Sequence, residues 1–365
     1  MATIEDQREK ARFQFEEAIY PDVVVSIDLK NILASDLSEF QKIEVIETSF
    51  GKTLVTDGKT QSTQMDERSY HESLVHPAML KYAMSTSSDS SKSNNGPRSV
   101  FIGGGGELAT AREVLRHKSV ERVLMVDLDE KVIEVCKEFL PEWGGERVTN
   151  DPRFELVIGD AYAYLDNCTE TFDVMIMDIS DPIEAGPGIM LYTQEFYQHV
   201  VKSLLNENGV FITQSGIADG IHPESGKDCT SFAAIHNTLK ASFDCAIPYS
   251  INIPSFGSDW GYIMAGDWGH GDSRLNDSNS NNDANADIDS FVSIKPKVID
   301  DMISRMITDL DDANSNRSAC RKNEDVLTYY DGISHLRMFA LPKPLRYMMK
   351  KDQRIMTKEN PVFMF

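Results

Sequence analysis

The sequence is poor in cysteine. Its five cysteines are odd in number, widely scattered and contain no CxxC pair. This pattern indicates reduced thiols in a cytosol-like compartment rather than a disulfide framework, so we expect a cytoplasmic protein. The residues are Cys136, Cys168, Cys229, Cys245 and Cys320.

Positive charge and long apolar runs are also scarce. The chain has 36 Lys and Arg against 58 Asp and Glu, a formal net charge of -22. Such a balance disfavours nucleic acid or an anionic membrane surface as the partner and is compatible with a cationic substrate. No signal peptide and no run of 18 apolar residues is present, so we expect no membrane association.

The chain length and the pattern of apolar runs predict two domains. At 365 residues the chain can bury a large core. Short apolar runs and a hairpin turn at Asp57-Gly58 predict a small N-terminal antiparallel β domain over residues 1–70. Residues 71–365 are predicted to form the main domain. Two Ser- and Asn-rich stretches, 85–97 and 271–289, contain too few apolar residues to pack and are interpreted as low-complexity inserts.

Strand-like and helix-like segments alternate in the main domain, which predicts an α/β fold with a doubly wound parallel sheet. An antiparallel hairpin is expected near its end. The predicted strands are 100–102, 122–126, 154–158, 172–177, 209–214, 244–249 and 260–265, and the predicted helices are 71–84, 131–140, 191–205 and 229–242. Residues 298–310 form a further amphipathic segment.

Four consecutive glycines, 103–106, follow the first of these strands and precede a helical pattern. A glycine turn at this place lets the backbone approach an adenosine-type ligand, and Asp127, about 20 residues later, can accept from ribose hydroxyls. Glu107 stands at the start of the helix, where a pyrophosphate would need uncharged backbone N–H groups and would be repelled by a carboxylate. The turn therefore favours an adenosine without phosphates that carries positive charge; the alternative is a turn needed only for close helix–strand packing.

Carboxylates follow four successive strands of the predicted sheet. Because the ends of parallel strands meet at one edge, we expect these side chains to lie close together. They are Glu107, Asp127, Asp160, Asp178 and Asp181. Each alone could be a helix cap, but five together would raise one another's pKa unless cations or hydrogen-bond donors occupy the site.

Two kinds of cation could occupy such a site. Calcium or magnesium is the first, but the chain has no Asp-rich loop of the calcium type, so no metal is expected. A cationic organic substrate is favoured instead. Transfer of an alkyl group from a sulfonium to an amine needs a carboxylate that accepts the amine proton, and fixed carboxylates stabilise the positive charge as it moves from sulfur to nitrogen.

Several segments of residues 13–265 resemble the spermidine/spermine synthases. They include the hairpin and linker from Asp57 to Glu72, the glycine turn with Glu107, Val126-Asp127, Gly159-Asp160-Ala161, and the Asp178-Ile-Ser-Asp181-Pro182 loop. Tyr70-His71-Glu72, Glu107 in place of aspartate and the Pro254-Ser255-Phe256 segment are most similar to the thermospermine synthase branch of that family.

The resemblance implies a Rossmann-like fold of the S-adenosylmethionine-dependent methyltransferase type. It implies an aminopropyltransferase that uses decarboxylated S-adenosylmethionine as cosubstrate, a polyamine such as spermidine as acceptor, and no separate cofactor. A homodimer or homotetramer is expected. Asp178 would be the catalytic carboxylate that orients and deprotonates the attacking amine.

The resemblance also implies the remaining roles. The polyamine would be bound by Tyr70, His71, Asp181, Gln214 and Phe256. The cosubstrate would be bound by Gln61, Gly104, Glu107, Asp127, Asp160, Ala161 and Asp178. Within that set, Asp127 would bind the ribose, Asp160 the adenine amino group, Gln61 the adenosyl part and Glu107 the ammonium of the aminopropyl chain.

Simpler interpretations remain for some of these residues. Tyr70 could be a core aromatic residue, His71 could cap the linker helix, and Gln61 and Gln214 could be ordinary turn and strand-end residues. Leu108 and Ala109 stand where spermidine synthases commonly have further glycines, so a close backbone approach there is in doubt.

The reaction itself has alternatives. The first prediction is thermospermine synthesis from spermidine, because the segments named above are most similar to the thermospermine synthase branch. Phe256, where spermidine synthases usually have tyrosine, removes one hydrogen bond to the polyamine and fits a longer acceptor. Spermine or spermidine synthesis is the near alternative. A small-molecule methyltransferase or a homologue that only binds polyamines is more remote.

Overall fold

A computed structural model describes residues 13–20, 23–86, 96–184, 186–219, 231–268, 290–308 and 326–364. Residues 87–95 of the first predicted insert and all of the second, 271–289, lie outside this described part. So do residues 229 and 230, where the predicted helix 229–242 starts.

Antiparallel strands occupy the first part of the chain. In the described residues they form a two-stranded hairpin and a four-stranded sheet of order β3-β4-β5-β6. The strands are β1 (Phe13–Tyr20), β2 (Val23–Leu29), β3 (Asn31–Leu37), β4 (Lys42–Thr48), β5 (Gly51–Thr56) and β6 (Lys59–Thr63). Asp57 and Gly58 join β5 to β6 with φ of 48° and 77°, the positive values that a tight hairpin turn requires. The predicted N-terminal antiparallel structure is confirmed.

A long helix, α1 (Glu67–Ser85), connects the N-terminal strands to the central sheet. It begins four residues before the predicted start at residue 71. Nearly every side of α1 is buried, and the buried side chains of Glu67, His71 and Glu72 have hydrogen-bond partners inside the protein. Tyr70, His71 and Glu72 lie side by side in its first turns and are buried.

The central sheet of the described chain has seven strands in the order β12-β13-β11-β10-β7-β8-β9. The strands are β7 (Ser99–Gly104), β8 (Arg122–Asp127), β9 (Phe154–Ile158), β10 (Phe172–Asp178), β11 (Leu205–Ile217), β12 (Cys245–Ile253) and β13 (Ser258–Gly266). β7 to β11 are parallel, whereas β13 is antiparallel to β11 and to β12. This confirms the doubly wound Rossmann-like sheet with an added hairpin, and the order reverses between β7 and β10, where such folds bind ligands.

Short helices follow the strands. They are α2 (Ala109–Leu115), α3 (Glu130–Phe139), α4 (Gly145–Thr149), α5 (Ala161–Asp166), α6 (Lys202–Leu204) and α7 (Phe232–Lys240), with 3₁₀ turns at Pro141–Trp143, Pro187–Tyr192 and Pro254–Phe256 and a π-helical turn at Phe196–Val201.

The prediction of one continuous helix over 191–205 is wrong. The backbone of Thr193 is extended, with φ of -84° and ψ of 152°. The neighbouring Gln194 donates its backbone N–H to Met356 of the C-terminal region, 2.8 Å away, instead of to a helical carbonyl. A partner distant in sequence thus interrupts the helix, and no local pattern contains that information.

The C-terminal region packs on both faces of the central sheet. Its helices are α8 (Pro296–Met306), α9 (Gly332–Phe339) and α10 (Lys343–Lys351). Ile299 and Met338 belong to the core on the face where α1 packs, whereas Leu345 and Met356 belong to the core on the opposite face. The carboxylate of Glu72 on α1 also accepts three backbone N–H groups of residues 328–330, at 2.7 to 2.9 Å.

Candidate active site

The glycine turn after β7 lies directly against the end of β10. Gly104 has a φ of +78°, and a Cβ placed on it would lie 2.2 Å from the carbonyl oxygen of Asp178. The backbone N–H of Gly105 donates to that same oxygen at 3.0 Å. Only glycine allows both the positive φ and this close approach, so the turn holds the backbone of Asp178 in place.

Two hydroxyl groups from different elements hold the carboxylate of Asp178. Tyr70 Oη of α1 donates to Oδ1 at 2.8 Å, and Thr110 Oγ1 of α2 donates to Oδ2 at 2.5 Å. Burial raises the pKa of Asp178, and the negative charge of Glu107 adds to this effect, while His71 and the two hydroxyls oppose it. The result is an oriented carboxylate that can accept a proton, which is the property a general base needs.

The bare backbone of the glycine turn separates two carboxylates. A Cβ on Gly105 would lie 3.5 Å from Asp178 Oδ2, and a Cβ on Gly106 would lie 3.1 Å from Asp127 Oδ2. Burial raises the pKa of Asp127 to about 6, with small contributions from neighbouring carboxylates. Asp127, Asp178 and Glu107 therefore come together as the strand-end pattern predicts.

Glu107 is in contact with a buried histidine. Nε2 of His71 lies 2.9 Å from Glu107 Oε1, and Nδ1 lies 3.1 Å from Glu67 Oε2 and 2.7 Å from the Glu67 carbonyl oxygen. Burial alone would lower the pKa of His71, but its bonds to Glu107 and Glu67 raise it to about 10. His71 is therefore an imidazolium at neutral pH, has no exposed surface, and offsets the charge of Glu107 from inside the protein.

A buried chain of ion pairs continues from this histidine. Arg112 Nη2 donates to Glu67 Oε2 at 2.8 Å, and its Nε donates to Glu113 Oε1 at 2.8 Å. Glu113 also accepts from Arg116 at 2.8 Å. Burial would raise the pKa of Glu67, but Arg112 and His71 bring it below its usual value. This network keeps Glu67 ionised, and Glu67 in turn keeps His71 charged.

Asp181 and Gln214 form a second polar group beside Asp178. Gln214 Nε2 donates to the carbonyl oxygen of Ile179 at 2.6 Å, to Tyr192 Oη at 2.9 Å and to Asp181 Oδ1 at 3.2 Å. Burial raises the pKa of Asp181 to about 6, while Gln214 and the charge of Lys59 oppose the rise.

In the described residues neither Asp178 nor Asp127 forms an ion pair with Lys or Arg, so both remain available to a cationic ligand.

The ring of Tyr70 packs against other aromatic rings. The Tyr70 ring meets Phe256, Tyr262 and His71 edge to face, with centroids 6.0, 5.7 and 4.9 Å apart. Phe256 also packs against Trp260 at 4.7 Å. Phe256 thus lies beside Tyr70, and the roles of both residues toward the polyamine stay predictions.

Three further predicted site residues belong to α5 and β6. Asp160 is exposed and caps α5, because its carboxylate accepts from the backbone N–H of Tyr162 at 2.7 Å. Ala161 is the first residue of that helix. Gln61 is half-buried on β6 and donates to the carbonyl oxygen of Lys59 at 3.2 Å. The roles of these three residues toward the cosubstrate stay predictions.

Sequence analysis missed several residues of this site. Thr110 follows the glycine turn, but the strand-end pattern concerns carboxylates and gives no signal for a hydroxyl. Glu67 falls in the hairpin and linker segment quoted for the resemblance, and nothing in the sequence spacing indicates that it meets Arg112. The described residues contain no group of three or more His, Cys, Asp or Glu side chains arranged to hold a metal ion. Nor do they include a helix long and apolar enough to cross a bilayer.

Known families and relatives match almost the whole chain. A family model described as Spermine/spermidine synthase domain matches residues 67–269, and one described as Spermidine synthase tetramerisation domain matches residues 13–64. A thermospermine synthase of Arabidopsis thaliana, ACAULIS5, is 41% identical over 256 residues, or 69% of each chain. A polyamine aminopropyltransferase of Aeropyrum pernix is 36% identical over 356 residues, which is 96% of this chain and 95% of the relative.

Solved structures agree with the fold. A spermidine synthase in complex with the transition-state analogue AdoDATO superposes with a TM-score of 0.70 at 25% identity, covering 94% of this chain and 97% of the other. The spermidine synthase of Thermotoga maritima superposes with a TM-score of 0.67 at 24% identity and 94% and 96% coverage, and so shows the fold.

Proposed function

Because the chain belongs to the spermine/spermidine synthase family and is a polyamine aminopropyltransferase, we propose that it transfers the aminopropyl group of decarboxylated S-adenosylmethionine to spermidine. The products are thermospermine and 5'-methylthioadenosine. The observation that carries this proposal is the oriented carboxylate of Asp178, held by Tyr70 and Thr110 beside the glycine turn.

Binding of the cosubstrate is argued from the charges of Glu107 and Asp127 and from the absence of side chains in the glycine turn. The cosubstrate carries a sulfonium and an ammonium but neither a carboxylate nor a phosphate. Glu107 attracts the ammonium and repels the carboxylate of intact S-adenosylmethionine, and Asp127 accepts from the ribose hydroxyls. Gly105 and Gly106 leave room for the ligand between Asp127 and Asp178.

In the reaction step, the acceptor amine attacks the methylene carbon next to the sulfonium. The new C–N bond forms as the C–S bond breaks, and the bonding electron pair goes to sulfur, which leaves as a neutral thioether. The nitrogen proton passes to Asp178. A free alkylamine is mostly protonated at neutral pH, so it must lose a proton before it can attack, and Asp178 accepts that proton.

Two observations support spermidine as acceptor and thermospermine as product. The plant relative at 41% identity is named a thermospermine synthase. Phe256 places an apolar ring against Tyr70 without a hydroxyl of its own, which suits the methylene carbons of a longer polyamine.

Spermine or spermidine synthesis is the second candidate. The relative from Aeropyrum pernix covers more of this chain than the plant enzyme does, and its name specifies only a polyamine aminopropyltransferase. These candidates share the donor and the chemical step and differ in which amine reaches Asp178.

Product identification tests the proposal. The purified protein is incubated with decarboxylated S-adenosylmethionine and either spermidine or putrescine, and the products are separated by a chromatographic method that resolves thermospermine from spermine. We expect thermospermine from spermidine. Spermine alone, or turnover with putrescine only, would replace the proposed product by the second candidate.

The variant Asp178→Asn serves as the catalytic control in the same assay. The amide keeps the shape of the side chain but cannot take the proton, so we expect kcat to fall by roughly 10²- to 10⁴-fold. Unchanged turnover would show that Asp178 is not the base.

A further inference from the structure

Residues 356–364 lie outside both family matches, the second of which along the chain ends at residue 269, yet they return to the loop that follows β10 of the central sheet. Met356 is completely buried, and its backbone N–H donates to Thr238 Oγ1 at 2.9 Å. Its carbonyl oxygen accepts from Gln194 at 2.8 Å. This residue anchors the segment to the core beneath the site.

From Met356 the segment passes Glu195 and the start of α5, the helix that follows β9. The backbone N–H of Lys358 donates to Glu195 Oε2 at 3.2 Å, and its Nζ donates to Tyr162 Oη at 2.9 Å. Tyr162 is the residue whose backbone N–H binds Asp160. Val362 then packs, partly buried, against the core on this face of the sheet.

The segment ends its described course on the loop that follows β10. The backbone N–H of Met364 donates to the carbonyl oxygen of Pro182 at 2.8 Å. Gly216, with a φ of +71°, lies between two side chains: a Cβ built on it would be 3.1 Å from Asp181 Oδ1 and 3.3 Å from Met364 Sδ. Asp181 and the thioether of Met364 therefore border the same bare glycine.

We infer that Met364 is a specificity-determining residue that forms the apolar wall of the acceptor site beside Asp181. The inference deepens the proposed function, because it rests on the assignment of Asp181 to the polyamine. A polyamine alternates charged nitrogens with short methylene chains, so its site needs a carboxylate next to an apolar surface. Methionine is suited to such a wall, because its unbranched thioether adapts to a flexible chain.

Met364 is also hydrogen-bonded to the loop that carries Asp181. Its backbone bond to Pro182 holds the residue next to Asp181, and Gln214 binds both Asp181 and the carbonyl oxygen of Ile179. A longer or shorter acceptor would meet a different length of apolar surface before its ammonium reaches Asp181. The segment is therefore expected to affect which acceptor is used.

Point variants of Met364 test this inference. Met364→Ala removes the thioether, and Met364→Leu restores an apolar side chain of similar volume. We expect Met364→Ala to raise the KM for spermidine roughly five- to tenfold, with kcat and the KM for decarboxylated S-adenosylmethionine changed by less than about twofold. Met364→Leu should return the spermidine KM to within about twofold of the unmodified protein.

The matched control is Met349→Ala on α10, which removes a partly buried methionine from the same face of the sheet. It should leave the spermidine KM unchanged. Unchanged kinetics in Met364→Ala would overturn the inference. So would a parallel rise in both KM values with a loss of kcat, because a loosened fold would produce that pattern.

Two readouts separate this inference from the proposed function. Product identity is measured on the unmodified protein, and a product other than thermospermine would overturn the proposed function. The Met364 variants are tested with the acceptor that the unmodified protein uses, so their result does not depend on which product is found. Asp181→Asn should raise the KM of that acceptor at least as much as Met364→Ala does. A normal acceptor KM in Asp181→Asn would remove the basis of the inference.

Discussion

Two opposing effects act on the pKa of the Asp178 carboxylate. It is buried beside Glu107, which raises its pKa and its affinity for a proton. It also accepts hydrogen bonds from Tyr70 and Thr110, which favour the ionised form and fix its orientation. The base is therefore oriented, and its pKa lies above the usual value of an aspartate.

The pH dependence of the reaction should reflect the neighbour Glu107. Asp178 acts as a base only when ionised, so kcat/KM falls as the pH drops through its pKa. Glu107→Gln removes one negative neighbour, lowers the pKa of Asp178, and is expected to move the acid limb of the kcat/KM profile down by about one pH unit. Overall activity should also fall, because the ammonium partner is lost.

The measurement is kcat/KM between pH 5 and 9 for the unmodified protein and the variant. Glu67 still contacts His71 in the variant and keeps the imidazolium charged at the acid limb. Glu146→Gln, on the exposed surface of α4, provides the charge-matched control. An acid limb that stays in place, or moves to higher pH, would contradict the assigned coupling between Glu107 and Asp178.

At the scale of elements, α1 connects three parts of the molecule. Within its first turns Tyr70 binds Asp178, His71 binds Glu107, and Glu72 binds the backbone of residues 328–330. The same turns that carry predicted site residues therefore hold the C-terminal region in place. A displacement of the C-terminal region would therefore shift α1 and, with it, the contacts of Tyr70 and His71 in the site.

Loss of the Glu72 carboxylate should release the C-terminal region. Glu72→Ala leaves three backbone N–H groups without their acceptor, and we expect the free energy of unfolding to fall by about 3 kcal/mol. Hydrogen exchange should become faster at residues 328–330 before it does in the central sheet. Glu146→Ala is the exposed control, and unchanged exchange in Glu72→Ala would show that other contacts hold the region.

At the scale of the whole molecule, the N-terminal strands present apolar side chains to the outside. β3 is an edge strand of its sheet in the described chain, yet Leu37 is 73% exposed and Ile32 is 54% exposed. An apolar edge strand of this kind needs a cover, and these residues fall in the match to a tetramerisation domain. The match supports an oligomer, and we propose a homodimer or homotetramer that buries this surface.

Light scattering after size exclusion tests the assembly. We expect a mass that is a multiple of the 41.0 kDa chain. The double variant Ile32→Asp with Leu37→Asp should shift the population to smaller species, because two buried charges would have no partner in the interface. Ile333→Asp, at an equally exposed apolar residue of α9, should not do so. A monomeric unmodified protein would contradict the proposed assembly.

Much of the fold followed from local patterns. Strands β7, β8, β10 and β11 of the parallel sheet are buried over most of their length and read as apolar runs, so their positions were predicted to within a few residues. Strands β1 and β3 were not predicted, because their residues are largely exposed or half-buried and lack such runs. Leu108 shows the same limit, since it adopts a φ of +72° that a local rule reserves for glycine.

Local sequence patterns are enough to place acidic side chains after successive strands, and parallel topology brings those strand ends to one edge. The contact of Thr110 with Asp178, the charge of His71 between Glu67 and Glu107, and the approach of Met364 to Gly216 depend on the folded chain. Local patterns extend over only a few residues. A hydrogen bond or a pKa depends on atoms that the fold brings within a few ångströms from positions far apart in the chain.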